Sequence, residues 1–141
     1  MTTDRIAKPR TRARSTATAS GTRLERDVAD ALADLWQPSI DRKVKTGAKD
    51  QGDIGGMTVG GNPVVIECKN VRKIALGTWW AEARQEALHL YGSLTTKGRT
   101  PRDVHAIVVT KRHGMSAGKD QWVVMPVWQL VHLLEGAGGQ R

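Results

Sequence analysis

Gln51-Gly52-Asp53-Ile54 and Val64-Val65-Ile66-Glu67-Cys68-Lys69-Asn70, separated by a segment that holds Val59-Gly60-Gly61-Asn62-Pro63, decide how this chain folds. Val64-Val65-Ile66 is a β-branched run of the kind that forms a buried strand. Side chains alternate along a strand, so Glu67 and Lys69 share one face while Ile66 and Cys68 take the other. The glycines and asparagine of the intervening segment supply the positive φ angles of a tight hairpin. Whether that turn holds two residues or three, Asp53 comes within a residue or two of facing Glu67.

Two acids and a lysine brought together suit phosphodiester hydrolysis. Hard carboxylate oxygens hold Mg²⁺, or Mn²⁺ in its place, and leave coordination positions for water and a substrate phosphate. The metal acidifies the water, and Lys69 can orient it or stabilise charge developing on the phosphoryl oxygens. The competing reading of Glu-x-Lys is a cross-face ion pair on an exposed strand. The three β-branched residues just before it argue against that, because charges at the end of a central strand are costly without a function or a partner.

Gly52-Asp53 followed by Val65-Ile66-Glu67-Cys68-Lys69 resembles the PD-(D/E)XK signature of restriction-endonuclease-like nucleases. Within that superfamily the chain is most like small Holliday junction resolvases of archaeal type and their phage counterparts, which begin with a helix carrying a glutamate; Gly21-Thr22-Arg23-Leu24-Glu25-Arg26 occupies that place. The likeness spans residues 21 to 135, and the Pro of the family name is absent before the acid. It implies that Asp53, Glu67 and the Cys68 carbonyl ligate Mg²⁺, that Lys69 assists the water, and that Glu25 completes the pocket. It also implies a homodimer on branched DNA, since a four-way junction offers two symmetric strands. Thr22-x-x-Glu25 reads equally well as a capping box at a helix start.

The 141 residues make one α/β domain, with no room for a second core. A net charge of +8 and pI near 10.2 favour a polyanionic partner, and nucleic acid fits better than a membrane because no apolar run is long enough to span one. With no apolar signal-peptide core either, the expectation is a cytoplasmic protein of a bacterial or phage-infected cell, associated with the nucleoid. Cys68 has no internal partner, and its place opposite the acids predicts burial as a small apolar residue. One cysteine and four scattered histidines give no zinc-ligand spacing, so zinc is not expected.

Residues 1 to 20 are rich in Arg, Lys, Thr, Ser and Ala, which predicts a disordered basic arm that contacts phosphate or merely solubilises. The nuclease domain is expected over 21 to 135 and a flexible tail over 136 to 141. Its order is α-β-β-β-α-β-β-α, a mixed central sheet flanked by helices. The first helix runs from Thr22 to about Trp36 with Leu24, Val28, Ala31, Leu32 and Leu35 inward. Strands follow over Ile40–Thr46, Asp53–Val59 and Pro63–Lys69. A helix capped by Thr78 buries Trp79, Ala83, Ala87, Leu90 and Leu94, and Trp79 and Trp80 read as core or dimer contacts rather than base platforms. Strands over Val104–Thr110 and Gln121–Val124 precede a last helix, opened by Pro126, that buries Val127, Leu130, Val131 and Leu134 and ends at Gly136.

The expected DNA contacts are Lys45, Lys49, Arg72, Lys73, Gln85, Lys111 and Arg112. Gln85 is either near the site or simply solvated, and the loop 111–120 is either a backbone contact or a solvated loop. That loop is not a nucleotide-binding one, because its glycine spacing is short and a strand follows, so no nucleotide cofactor is expected. An end-dependent or repair nuclease with the same site, or a catalytically idle DNA-binding module, are the rival functions.

Overall fold

The computed structural model describes residues 8–43, 51–99 and 101–138, with side chains from residue 19 onward. A mixed sheet of six strands lies between helices: β1 (Asp41–Arg42), β2 (Ile54–Gly55), β3 (Thr58–Val59), β4 (Asn62–Lys69), β5 (His105–Thr110) and β6 (Trp122–Val124), in the order β1-β2-β4-β5-β6 with β3 also paired to β4. Among the described strands only β4 and β5 run parallel. The helices are α1 (Lys8–Leu35), α2 (Leu76–Thr96) and α3 (Val127–Gly138). This is the α/β, restriction-endonuclease-like arrangement that the pattern predicts.

The alternation of β4 sorts the core into two layers. Val64 and Ile66, with Ile54, Ile107 and Val109 from neighbouring strands, pack against Leu24, Val28 and Ala29 of α1, and half-buried Cys68 lies against this layer as expected. Val65, Ala106 and Val108 pack on the opposite face against Trp79, Ala83 and Ala87 of α2. Each face therefore has its own helix, and the sheet separates them.

Four expectations need correction. The strand expected over Asp53–Val59 is broken into β2 and β3, because Gly56 adopts φ +85° where a Cβ would stand 2.2 Å from the Ser39 carbonyl oxygen. The first helix does not start at Thr22 but at Lys8, so residues 8 to 20 are helical rather than a disordered arm. Alanines and arginines there propagate an existing helix without a new nucleation cost. Helix α2 is capped at Ala75 rather than Thr78, with no side-chain cap bond. Helix α3 runs on to Gly138, and its Val127, Leu130, Val131 and Leu134 are exposed. Residues 1–7, Lys45, Lys49, the expected 47–50 turn and residues 139–141 lie outside the described residues.

The hairpin joining β3 to β4 has a two-residue turn, Gly60-Gly61, with φ +60° and +79°, which pairs Val59 with Asn62. Both central residues are left-handed, as a twist-matched hairpin requires. Two glycines should respond oppositely to alanine. Gly56→Ala should lower the unfolding midpoint in urea, at a cost above about 1 kcal/mol. Gly21→Ala, inside α1 with nothing within 4 Å of the new Cβ, should raise stability by about 0.5–1 kcal/mol.

Candidate active site

The pairing of Ile54 with Ile66 makes Asp53 and Glu67 the next positions across the β2–β4 ladder. The Asp53 N–H donates to the Ile66 carbonyl at 2.9 Å, and its carboxylate Oδ2 accepts the Cys68 N–H at 2.8 Å. Gly52 makes this approach possible: at φ +96°, a Cβ there would lie 2.9 Å from Val65 Cγ1 and 3.1 Å from the Ile66 carbonyl oxygen. Asp53 is 2% exposed and Glu67 6%. The exposed ion-pair reading of Glu-x-Lys therefore falls away.

Helix α2 adds two acids that the sequence reading missed. Glu82 and Glu86 stand one turn apart, so both reach the sheet face that carries Glu67 and Lys69. The Lys69 ammonium bonds to the Glu82 carboxylate and lies 3.7 Å from Glu67 Oε1. Glu86 is buried and bonds to Glu67. Burial, then that bond, then the charges of Asp53 and Glu86 push the Glu67 carboxyl up to about 10, against a smaller opposing pull from Lys69. Burial presses the Lys69 ammonium down, but the Glu82 bond and the Glu67 charge outweigh it and its pKa is raised. The signal for Glu86 was in the sequence: it interrupts the apolar stripe Trp79-Ala83-Ala87-Leu90, where an acid has no structural reason to be.

Glu67 Oε2 is buried without a hydrogen-bond partner among the described residues. Burial and the neighbouring acids favour the protonated form of Glu67, and a cation at this place would relieve their repulsion. Hard oxygen donors fit Mg²⁺: Asp53, Glu67 and the carbonyl of Cys68, which leaves β4 on the same edge as the N–H that Asp53 accepts. Among the described residues no three His, Cys, Asp or Glu side chains converge to hold a metal, so side-chain ligation of an ion here would rest on the acid pair.

The other anticipated residues are placed differently. Glu25 caps nothing, since α1 continues past it, and accepts Arg42 Nε and Nη2 at 3.1 and 3.0 Å. Arg42 pairs with Ile54, on the α1 side of the sheet, so Glu25 is engaged on the face opposite Glu67. Gln85 is exposed and pairs with His89 at 3.0 Å; the inward position belongs to its neighbour Glu86. Arg72 and Lys73 are exposed in the loop leaving β4. Half-buried Lys111 bonds to the Met115 carbonyl, and Arg112 lies over the Trp122 ring at 4.3 Å.

Residues 16–125 match the family described as "Phage putative PDDEXK endonuclease". The chain belongs to this family. It is accordingly a nuclease of the PD-(D/E)XK type, with DNA as its substrate. No curated protein and no solved structure matches it. No helix among the described residues is long and apolar enough to cross a membrane.

The raised Glu67 pKa gives a pH dependence of known sign. Unfolded, the carboxyl loses its proton near 4.5; folded, it keeps it to about 10. Between those values the folded chain binds more protons, so stability falls as pH rises, by at most about 1.4 kcal/mol per pH unit. Glu67→Gln carries no such penalty. Its metal-free melting temperature should exceed the parent's by a margin that widens from pH 5 to pH 9 in thermal scans with EDTA.

Proposed function

We propose that this chain is a Mg²⁺-dependent endonuclease of branched DNA that nicks four-way junctions as a symmetric dimer. The observation that carries the reading is the buried Asp53–Glu67 pair beside Lys69 at the end of β4, in a family of endonucleases. A bound Mg²⁺ would acidify the attacking water and polarise the phosphoryl group. Asp53 and Glu67 would hold the ion, and the Cys68 N–H, donating to Asp53 Oδ2, fixes that carboxylate next to Glu67 across the β2–β4 ladder. Glu82 steers the Lys69 ammonium to the solvent edge of the acids, where it orients water and offsets charge on the phosphoryl oxygens.

The dimer is supported by α3. Val127, Leu130, Val131 and Leu134, at i, i+3, i+4 and i+7, form one apolar stripe that is 45–78% exposed. In a chain of net charge +8, copies approach each other most readily through such an uncharged face, and a two-fold pairing repeats it on both sides. Two sites so related suit two symmetric strands of a junction. A repair or end-dependent nuclease would use the same acids, and only the substrate separates it from a resolvase.

Cleavage of a labelled immobile junction beside linear duplex and single-strand controls tests the activity. Paired nicks on the junction, lost with EDTA and reduced more than about a hundredfold by Asp53→Asn with binding kept, are expected; that loss exceeds the range of a merely supporting residue. Cutting of linear DNA alone would move the function to a general nuclease. In light scattering the wild type should have twice the 15.4 kDa chain mass and Leu134→Glu that mass alone; a wild-type monomer would remove the dimer.

A further inference from the structure

Trp122 is 53% exposed, an unusual state for the largest side chain, and a cation lies against its ring. The Arg112 guanidinium lies over its ring, 4.3 Å from the centroid. That geometry is held by Gln121, which is buried: its Oε1 accepts the Arg112 N–H at 2.8 Å, and its Nε2 donates to the Met115 and Ala117 carbonyls at 3.0 and 2.8 Å. The loop between β5 and β6 is thus fixed around the pair before any ligand arrives.

Register puts the pair beside the acids. Lys69 pairs with Thr110 and Thr110 with Trp122, so the three form one row across β4, β5 and β6. Paired residues share a sheet face, and Val124, two residues along from Trp122, packs in the α2 layer, the layer to which Glu67 and Lys69 also point. Strands lie about 4.8 Å apart, so Trp122 is about 10 Å from Lys69 along the row. That is about three steps of a stacked strand at 3.4 Å each.

We propose that Trp122, backed by Arg112, is a stacking platform for an unpaired nucleobase next to the scissile phosphate. The proposal rests on the nuclease reading and names the substrate class for that site: DNA with a gap, flap or branch near the cut. An indole binds a base only through its π face, and in continuous duplex those faces are sealed by neighbouring pairs. Arg112 enriches the platform with a cation that also meets the nucleotide's phosphate. The face is sequence-tolerant, because every base has one. It discriminates paired from unpaired DNA rather than one sequence from another.

The test is equilibrium binding in EDTA, where nothing is cut, to a gapped duplex with 2-aminopurine in the gap and to the same duplex fully paired. Wild type should prefer the gap and quench the probe. Trp122→Ala should weaken gap binding by roughly fivefold or more, leave paired-duplex binding within about twofold, and abolish the quenching, while Trp122→Phe retains most of the preference. An unchanged gap-to-duplex ratio in Trp122→Ala overturns the platform. So does a change of Trp122→Ala from dimer to monomer, which would make the indole a contact between copies. If wild type cuts no DNA with Mg²⁺ yet its gap preference depends on Trp122, the platform stands and the nuclease activity falls.

Discussion

The register of β2 against β4 is the constraint on which the rest of the structure depends. With Ile54 opposite Ile66, odd-numbered residues of β4 face α2 and even-numbered ones face α1. A slip by one residue would drive Glu67 and Lys69 into the aliphatic layer under α1 and bring Ile66 out to the acids. Three local devices prevent it. The Gly60-Gly61 turn fixes the hairpin, Gly52 lets the chain pass against Val65 and Ile66, and the Asp53 carboxylate closes on the Cys68 N–H. The last of these belongs to the site itself, so the residue that would bind metal also keys the strands.

Concentrating acids under α2 works against stability, and the two carboxyls of that helix resolve it differently. Glu82 meets a cation, Lys69, so its charge is matched. Glu86 meets another acid, and the pair is tolerable only with a proton between them. If Asp53 and Glu67 hold a divalent ion as proposed, its charge would take the place of that proton, and the cost of the metal-free state would appear as affinity for the metal.

The strands and the acid pair were legible because they depend on period-two alternation and turn chemistry, both local. The helix faces were legible only in part. Trp79, Ala83 and Ala87 are buried as their spacing predicts, but the residue turned inward is Glu86 and not Gln85, a rotation of about 100° that separates a buried acid from a solvated amide. Thr22-x-x-Glu25 looks like a helix start, yet a capping box marks a start only if the preceding residues are not helical, and here the helix extends back to Lys8. Arg112 and Trp122 were visible as a loop cation and a strand residue. Their stacking is a tertiary contact between the two ends of a loop, which no spacing reveals.

Helix α3 shows why an apolar stripe predicts a face but not what covers it. Strand β6 pairs only with residues 108 to 110 of β5, which leaves the Ala106 N–H at an unpaired edge. Gln129, fully buried, takes the place of the missing strand: its Oε1 accepts that N–H at 3.1 Å while its Nε2 faces His105 Nδ1 at 2.9 Å. Turning Gln129 inward turns Val127, Leu130, Val131 and Leu134 outward. A buried unpaired N–H costs about 1–3 kcal/mol. Leaving four aliphatic side chains about half exposed forfeits on the order of 3–6 kcal/mol. The second loss is the larger of the two estimates, so satisfying the sheet edge comes with a sizeable apolar exposure. The helix that completes the sheet edge thereby leaves four aliphatic side chains in solvent, and the same inward turn of Gln129 that satisfies the Ala106 N–H is the reason for both.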